Sequence, residues 1–342
     1  MNNLLLRLAC LNEFGFDCSY EWNNQVFTRG YHHGCHIHNI AFDTFYFSVP
    51  ILFGDISNPV YVLIEECSFY QCINNNVNSA GCILYLASSG YLYLKKTCAN
   101  HCVCSGDGQF LSCIIKDTVN LYTNVSTVVY CAPPSYCVTD KYSAFYVSEG
   151  NIFFSCNNIS DCRSYSYTIA KFYSNPNITW NFIHLSHNSP YNYPAMYFQS
   201  SFAEFSFLNV IANSAPSGSI FLTNSAFDMF FKNCLFYNNF DILFNGFRKV
   251  KLENCIVIHS GKYTTCITTL ELINVTTSIS TLYTFEISRY STHRCYDQEY
   301  SISEMNGPCQ TIPPVPSTCN IHSHEGNTQF NLITSIYSIL LI

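Results

Sequence analysis

LIEECSFYQC, residues 63–72, decides the reading of this chain, because its pattern returns along the sequence. In register with it stand YLKKTCANHC (93–102), FFSCNNISDC (153–162), TWNFIHLSHN (179–188), EFSFLNVIAN (204–213), FFKNCLFYNN (230–239) and KLENCIVIHS (251–260). The second position is always large and apolar: Ile64, Leu94, Phe154, Trp180, Phe205, Phe231 and Leu252. The seventh is apolar as well (Phe69, Ala99, Ile159, Leu185, Val210, Phe236, Val257), and the tenth is Cys, Asn or Ser in every copy. The starts are spaced by 30, 60, 26, 25, 26 and 21 residues, and the double gap holds a weaker copy, NLYTNVSTVV (120–129), with Leu121 second and Ser126 seventh. Recurrence on this scale marks a stack of identical supersecondary units.

Positions two and seven differ by an odd number, so one straight strand would point them to opposite faces. A corner between them lets both face inward. The tenth position, small and polar, reads as a turn. A further apolar run recurs between the copies: AGCILYLA (80–87), SAFYV (143–147), PAMYF (194–198), SGSIFL (217–222) and DILF (241–244). Three short strands per repeat, joined by Asn, Ser and Gly turns, wind into a coil whose successive rungs lie about 4.8 Å apart. Side chains then stack in columns, apolar ones inside and asparagines in ladders at the turns. No segment carries apolar residues at a 3.6-residue period over three turns, so no helix is expected beyond a cap.

Charged residues make up 11% and aromatic residues 16% of the 342, a β-prone composition. The net charge of −7 and the absence of any basic run longer than a pair such as Lys95–Lys96 argue against nucleic acid as a partner. Twenty cysteines point to an oxidising compartment. Sequons at Asn124, Asn158, Asn177 and Asn274 fit a secretory route. Arg7 inside a short apolar run and Glu13 after it argue against reading the N-terminus as a standard signal peptide. The apolar stretch 330–342 is shorter than a membrane span, and reads as a final strand or a cut-short anchor through which the chain associates with a membrane.

Those cysteines and asparagines at turns, with apolar β-runs such as YVLIEE before CSFYQC, resemble the Cys-rich right-handed β-helix surface proteins of parasitic protists. That group is itself similar to bacterial polymorphic outer-membrane proteins and shares the pectin-lyase-like fold. The resemblance covers roughly residues 26–284. It implies a surface-displayed or secreted protein of adhesion or host interaction, with a host or cell-surface protein or a glycan as partner.

The expectation is therefore an all-β chain: a cap over 1–27, a single-stranded right-handed parallel β-helix of nine to ten coils over 28–285, and an irregular tail over 286–342 carrying Cys295, Cys309, Cys319 and the proline-rich TIPPVPSTC. The rival reading is a polysaccharide lyase or hydrolase, a chemistry that needs clustered carboxylates on one exterior strip. The acids recur at no single repeat position. Glu65 and Glu66 do match Lys95 and Lys96 one repeat later, and read as charge pairs across rungs. HHGCHIH gives the metal candidates His32, His36 and His38, set against a polar outer face; no catalytic residue and no cofactor is assigned. Closely spaced cysteines offer the disulfides Cys67–Cys72, Cys131–Cys137 and Cys156–Cys162, or cysteines of the tenth position bridge coils or stack inside as free thiols. No nucleophile elbow, P-loop or dinucleotide fingerprint occurs.

Overall fold

The computed structural model describes residues 34–43 and 49–278, apart from 75–79, 105, 116–119, 132–142, 165, 176, 192, 201, 217 and 225–226, together with the strands at 6–7, 21–22 and 27–29. The chain divides into two units, Met1–Ser303 and Glu304–Ile342, and every described residue belongs to the first. The expected tail at 286–342, and the expected cap at 1–27 except for the antiparallel pair Leu6–Arg7 with Glu21–Trp22, lie outside the described residues.

Among the described residues there is no helix, and one 24-stranded sheet holds nearly all the strands. Its pairings are parallel and always join a strand to its equivalent one repeat away, as in 64 with 94 and 180 with 205. The result is a parallel β-helix with three walls. The first wall contains Leu111–Ile115, Phe145–Ser148, Ala170–Asn175, Met196–Ser200 and Ser219–Thr223. The second holds positions one to three of the phrase, and the third holds positions six to eight, as in Ser68–Tyr70, Cys98–Asn100 and Thr127–Val129. The interlying apolar runs 80–87, 143–147, 194–198, 217–222 and 241–244 supply the first wall, as their spacing suggests.

The corner required between positions two and seven falls at position four. There the backbone turns into the left-handed region at Glu66, Lys96, Cys156, Phe182, Phe207, Asn233 and Asn254. A second such residue stands at position nine: Gln71, His101, Asp161, His187, Ala212 and Asn238. In these copies the turn therefore belongs to position nine and position ten points into the core, which corrects the reading of position ten as the turn; in the last copy Ser260 stays exposed. Cys72, Cys102, Cys162, Asn188, Asn213 and Asn239 are each fully buried.

The weak copy is also corrected. Tyr122 pairs with Tyr93 and Phe153, so the phrase runs from Tyr122 to Cys131 and not over 120–129. Its second position is Thr123, its corner is Val125 at φ 53°, its seventh residue is Val128 and its tenth is Cys131. The apolar Leu121 misleads because it is also buried, two residues earlier on the same inward face. Left-handed backbone is costly for a β-branched residue, whereas asparagine tolerates it. Val125→Asn is expected to raise stability by roughly 1 kcal/mol, read as a higher urea midpoint at unchanged slope.

The interior is a set of stacks. Phe154 lies parallel to Trp180 at 5.0 Å, and Phe205 to Phe231 at 4.8 Å. Phe42 stacks on Phe69 at 4.9 Å, while Phe145, Phe172, Phe198, Phe221 and Phe244 fill the core from the first wall. Position five also points inward, and in three middle coils it is polar. Thr97 and Ser126 share a 2.8 Å hydroxyl bond, and Asn157 accepts from the Ser126 amide at 2.9 Å while donating to Thr123 Oγ1 at 2.5 Å.

The tenth column shows why both Cys and Asn serve there. Most of these side chains donate to the seventh-position carbonyl of the coil before. Cys102 reaches Phe69 O at 3.4 Å, Cys162 reaches Val128 O at 3.6 Å, Asn188 reaches Ile159 O at 2.8 Å and Asn239 reaches Val210 O at 2.7 Å. Either donor satisfies a buried carbonyl, and asparagine adds an acceptor for the tenth-position amide of that same preceding coil, as Asn188 does for Cys162 and Asn213 for Asn188.

Candidate functional site

The interior is filled by buried side chains, so the candidate surface lies on the outer columns. On the second wall and its corner, Glu65 and Glu66 stand in register with Lys95 and Lys96. Lys95 Nζ lies 2.6 Å from Glu65 Oε1, and Lys96 Nζ lies 3.1 Å from Glu66 Oε1. His38 Nε2 contacts the other Glu66 oxygen at 3.1 Å. Of the histidine candidates, His38 is thus tied to a carboxylate, and Ile37 is turned inward as expected. His32 and the side chain of His36 lie outside the described residues.

The same pattern continues along the coil: Arg248 with Asp228 at 2.7 Å, Lys232 with Glu253 at 3.8 Å, and Lys249 with Glu271, while Lys251 meets Glu253 on its own strand at 2.9 Å. Partial burial raises the carboxyl of Glu66, but Lys96 and His38 outweigh it and the net shift is downward. The Arg248 guanidinium beside Asp228 likewise holds that carboxyl down. A depressed carboxyl stabilises the fold fully above its unfolded pKa and loses that contribution as pH falls through the folded value. The fold is therefore expected to weaken below about pH 4.5, the ordinary glutamate range. Glu66→Gln should flatten that slope in acid thermal melts.

The first wall presents a different surface. Tyr146, Lys171 and Tyr197 form one outward column, and Tyr173 stands in the next. Lys171 Nζ sits 5.1 Å from the Tyr146 ring centre and 5.6 Å from that of Tyr167, and pairs with Asp107 at 3.2 Å. Tyr167 lies 5.2 Å from Tyr197 and 5.8 Å from Tyr193. Tyr173 is 43%, Tyr193 40% and Tyr191 73% exposed, an unusual concentration of open aromatic surface. Burial raises the phenols of Tyr146, Tyr167 and Tyr197, so all three keep their protons and can donate hydrogen bonds. No repeat position marks this face in the sequence. Its members are scattered from 107 to 197, and only the first-wall register gathers them.

Cys67, Cys72, Cys131 and Cys162 are buried free thiols, while Cys156 is disulfide-bonded, as is Cys98. The pairs Cys67–Cys72, Cys131–Cys137 and Cys156–Cys162 are therefore not joined. Cys67 and Cys72 point inward at positions five and ten, on either side of a strand, and Cys137 lies outside the described residues. Cys98, Cys102, Cys104 and Cys113 do not form one cluster of ligands. Asn124 and Asn158 are buried at 6% and 4% exposure, which leaves no room for a glycan in the folded coil. Asn177 and Asn274 are exposed and extend outer asparagine ladders, to Asn151 at 3.1 Å and Asn254 at 3.0 Å.

Fold and surface together define a parallel β-helix with a charged-pair wall and a tyrosine-bearing wall. No family model, no curated protein and no solved structure matches the chain.

Proposed function

We propose that this chain is a non-enzymatic β-helix displayed at a cell surface or secreted, and that its first wall binds a glycan of a cell or host surface through Tyr146, Tyr167, Tyr173 and Tyr193. The single observation that carries the reading is the tyrosine cluster at Lys171: half-buried Tyr146 and Tyr167 lie against the ammonium, exposed Tyr193 lies beside Tyr167, and exposed Tyr173 stands on the same wall. Tyrosine offers a flat apolar face and a hydroxyl on a side chain with little entropy to lose, which suits sugar rings carrying hydroxyls on both edges. Lys171 and Asp107 at the centre add charged hydrogen-bonding groups.

The polysaccharide-enzyme alternative asks for carboxylates free to move a proton. The carboxylates on the second wall and its corner are instead held against lysines and an arginine of the adjacent coil. Membrane association through the apolar stretch 330–342 belongs to the same proposal; among the described residues no helix is long and apolar enough to cross a membrane. Glycan-array binding tests the assignment. Tyr173→Ala combined with Tyr193→Ala is expected to weaken binding at least about tenfold, since each stacked aromatic carries on the order of 1 kcal/mol. Unchanged binding by that double variant, or release of oligosaccharide products that stops in Glu65→Gln, would overturn it.

A further inference from the structure

We propose that Cys72, Cys82 and Cys102 form a trigonal, all-sulfur site for a soft monovalent cation of the copper(I) class, built into the core of the β-helix. Cys72 and Cys102 are consecutive members of the tenth column, one coil apart. Cys82 arrives from the other side of the core, immediately before the first-wall strand that begins at Ile83. In later coils its place is taken by Phe110, Ala144, Ile169 and Ala195, as the register through Ile83, Leu111 and Phe145 shows. The three sulfurs all lie within 4.8 Å of one another, and all three residues are fully buried.

A metal bound at about 2.3 Å from each of three sulfurs sets them roughly 4.0 Å apart. The triangle needs to close by less than about an ångström to reach that geometry. Soft thiolates select copper(I) and zinc, and structural zinc takes four ligands. Among the described residues no carboxylate or imidazole joins these three mutually close sulfurs, which favours the three-coordinate ion. Each thiol that binds as thiolate releases its proton to solvent.

A purely space-filling role explains the cluster less well. An apolar side chain fills the Cys82 place in every later coil named above. The backbone contacts of these two thiols are long: Cys72 lies 3.8 Å from Phe42 O, and Cys82 lies 3.8 Å from Gln109 O. Burial pushes the isolated interior thiols Cys67 and Cys104 up to about 12, leaving them inert.

Because the site is sealed, the ion enters while the coils are stacking. The full chain, refolded without oxygen in the presence of acetonitrile-complexed copper(I) and then desalted, is expected to retain one equivalent more copper than Cys82→Ala. Alanine already occupies the Cys82 place at 144 and 195, so this variant should keep the urea midpoint of the metal-free chain. X-ray absorption should show three sulfurs at about 2.3 Å in the parent chain. Cys102→Asn, which restores the hydrogen bond that Asn188 makes in the same column, should lose the same equivalent, whereas Cys162→Asn should not. Equal copper in the parent chain and in either triad variant, or fewer than three sulfurs around the ion, would overturn the site.

Discussion

Asn213→Ala is expected to be among the most damaging single changes in this protein, at roughly 3–5 kcal/mol, although it removes only a small polar side chain. Asn213 is fully buried. Its Nδ2 donates to Leu185 O at 2.9 Å, and its Oδ1 accepts from the amide and the side-chain nitrogen of Asn188 at 3.0 Å each. Truncation leaves one carbonyl and two N–H groups of a neighbouring coil in a dry interior, and each such orphan costs about 1–3 kcal/mol. Asn213→Cys should cost clearly less, because a thiol at this column still donates to the preceding coil, as Cys102 and Cys162 do. Asn213→Asp should be as harmful as alanine, since it loses the donor and buries a charge. Urea unfolding of the three variants gives the order, and a cysteine variant as unstable as alanine would show that the ladder is not what holds the corner.

Trp180→Ala should cost about 3–5 kcal/mol for a different reason, the loss of the largest side chain in the core. Its ring lies 5.0 Å from Phe154 in parallel, and 5.6 Å and 5.8 Å from Phe205 and Phe172 edge to face. Its ladder neighbours Phe154 and Phe205 cannot close around the hole, because their positions are set by the strand pairing on both sides. The indole N–H of Trp180 has no hydrogen-bond partner. Trp180→Phe is therefore expected to be nearly neutral: the lost area is offset by removal of a buried donor, and phenylalanine is the residue at the same position in Phe154, Phe205 and Phe231. A loss of more than about 2 kcal/mol in Trp180→Phe would mean that the N–H is satisfied in solution. In a stacked array these losses register in the cooperative unit around coil 180, so local hydrogen exchange is the sharper measurement.

Among the described residues, the second wall of the β-helix carries ten rungs, from Gly34–His38 to Thr269–Ile273, the upper end of the nine to ten coils the spacing suggests. That agreement has a plain cause. Columns two and seven repeat an apolar residue because each copy packs against its own copies, so composition at those positions is visible without knowing any contact. The paired Glu65–Lys95 and Glu66–Lys96 were equally visible, because equivalent positions of adjacent coils must lie side by side.

Other features were not visible, each for a physical reason. Position ten looks like a turn because Asn, Ser and Cys are turn residues, yet a left-handed residue at position nine redirects it inward, where backbone carbonyls take its hydrogen bonds. The copy around Tyr122 hid its register because two inward apolar residues two apart are interchangeable to a pattern, and only ladder pairing chooses between them. The tyrosine face and the Cys72–Cys82–Cys102 cluster join residues of different repeat positions, and no periodicity relates those. The amino-acid sequence by itself determined that the chain coils, roughly how often, and which side chains fill it, since these follow from self-similarity at fixed spacing. Only the tertiary structure decided which way the polar corners point and which cysteines and tyrosines meet, because backbone bends and cross-coil register set those directions.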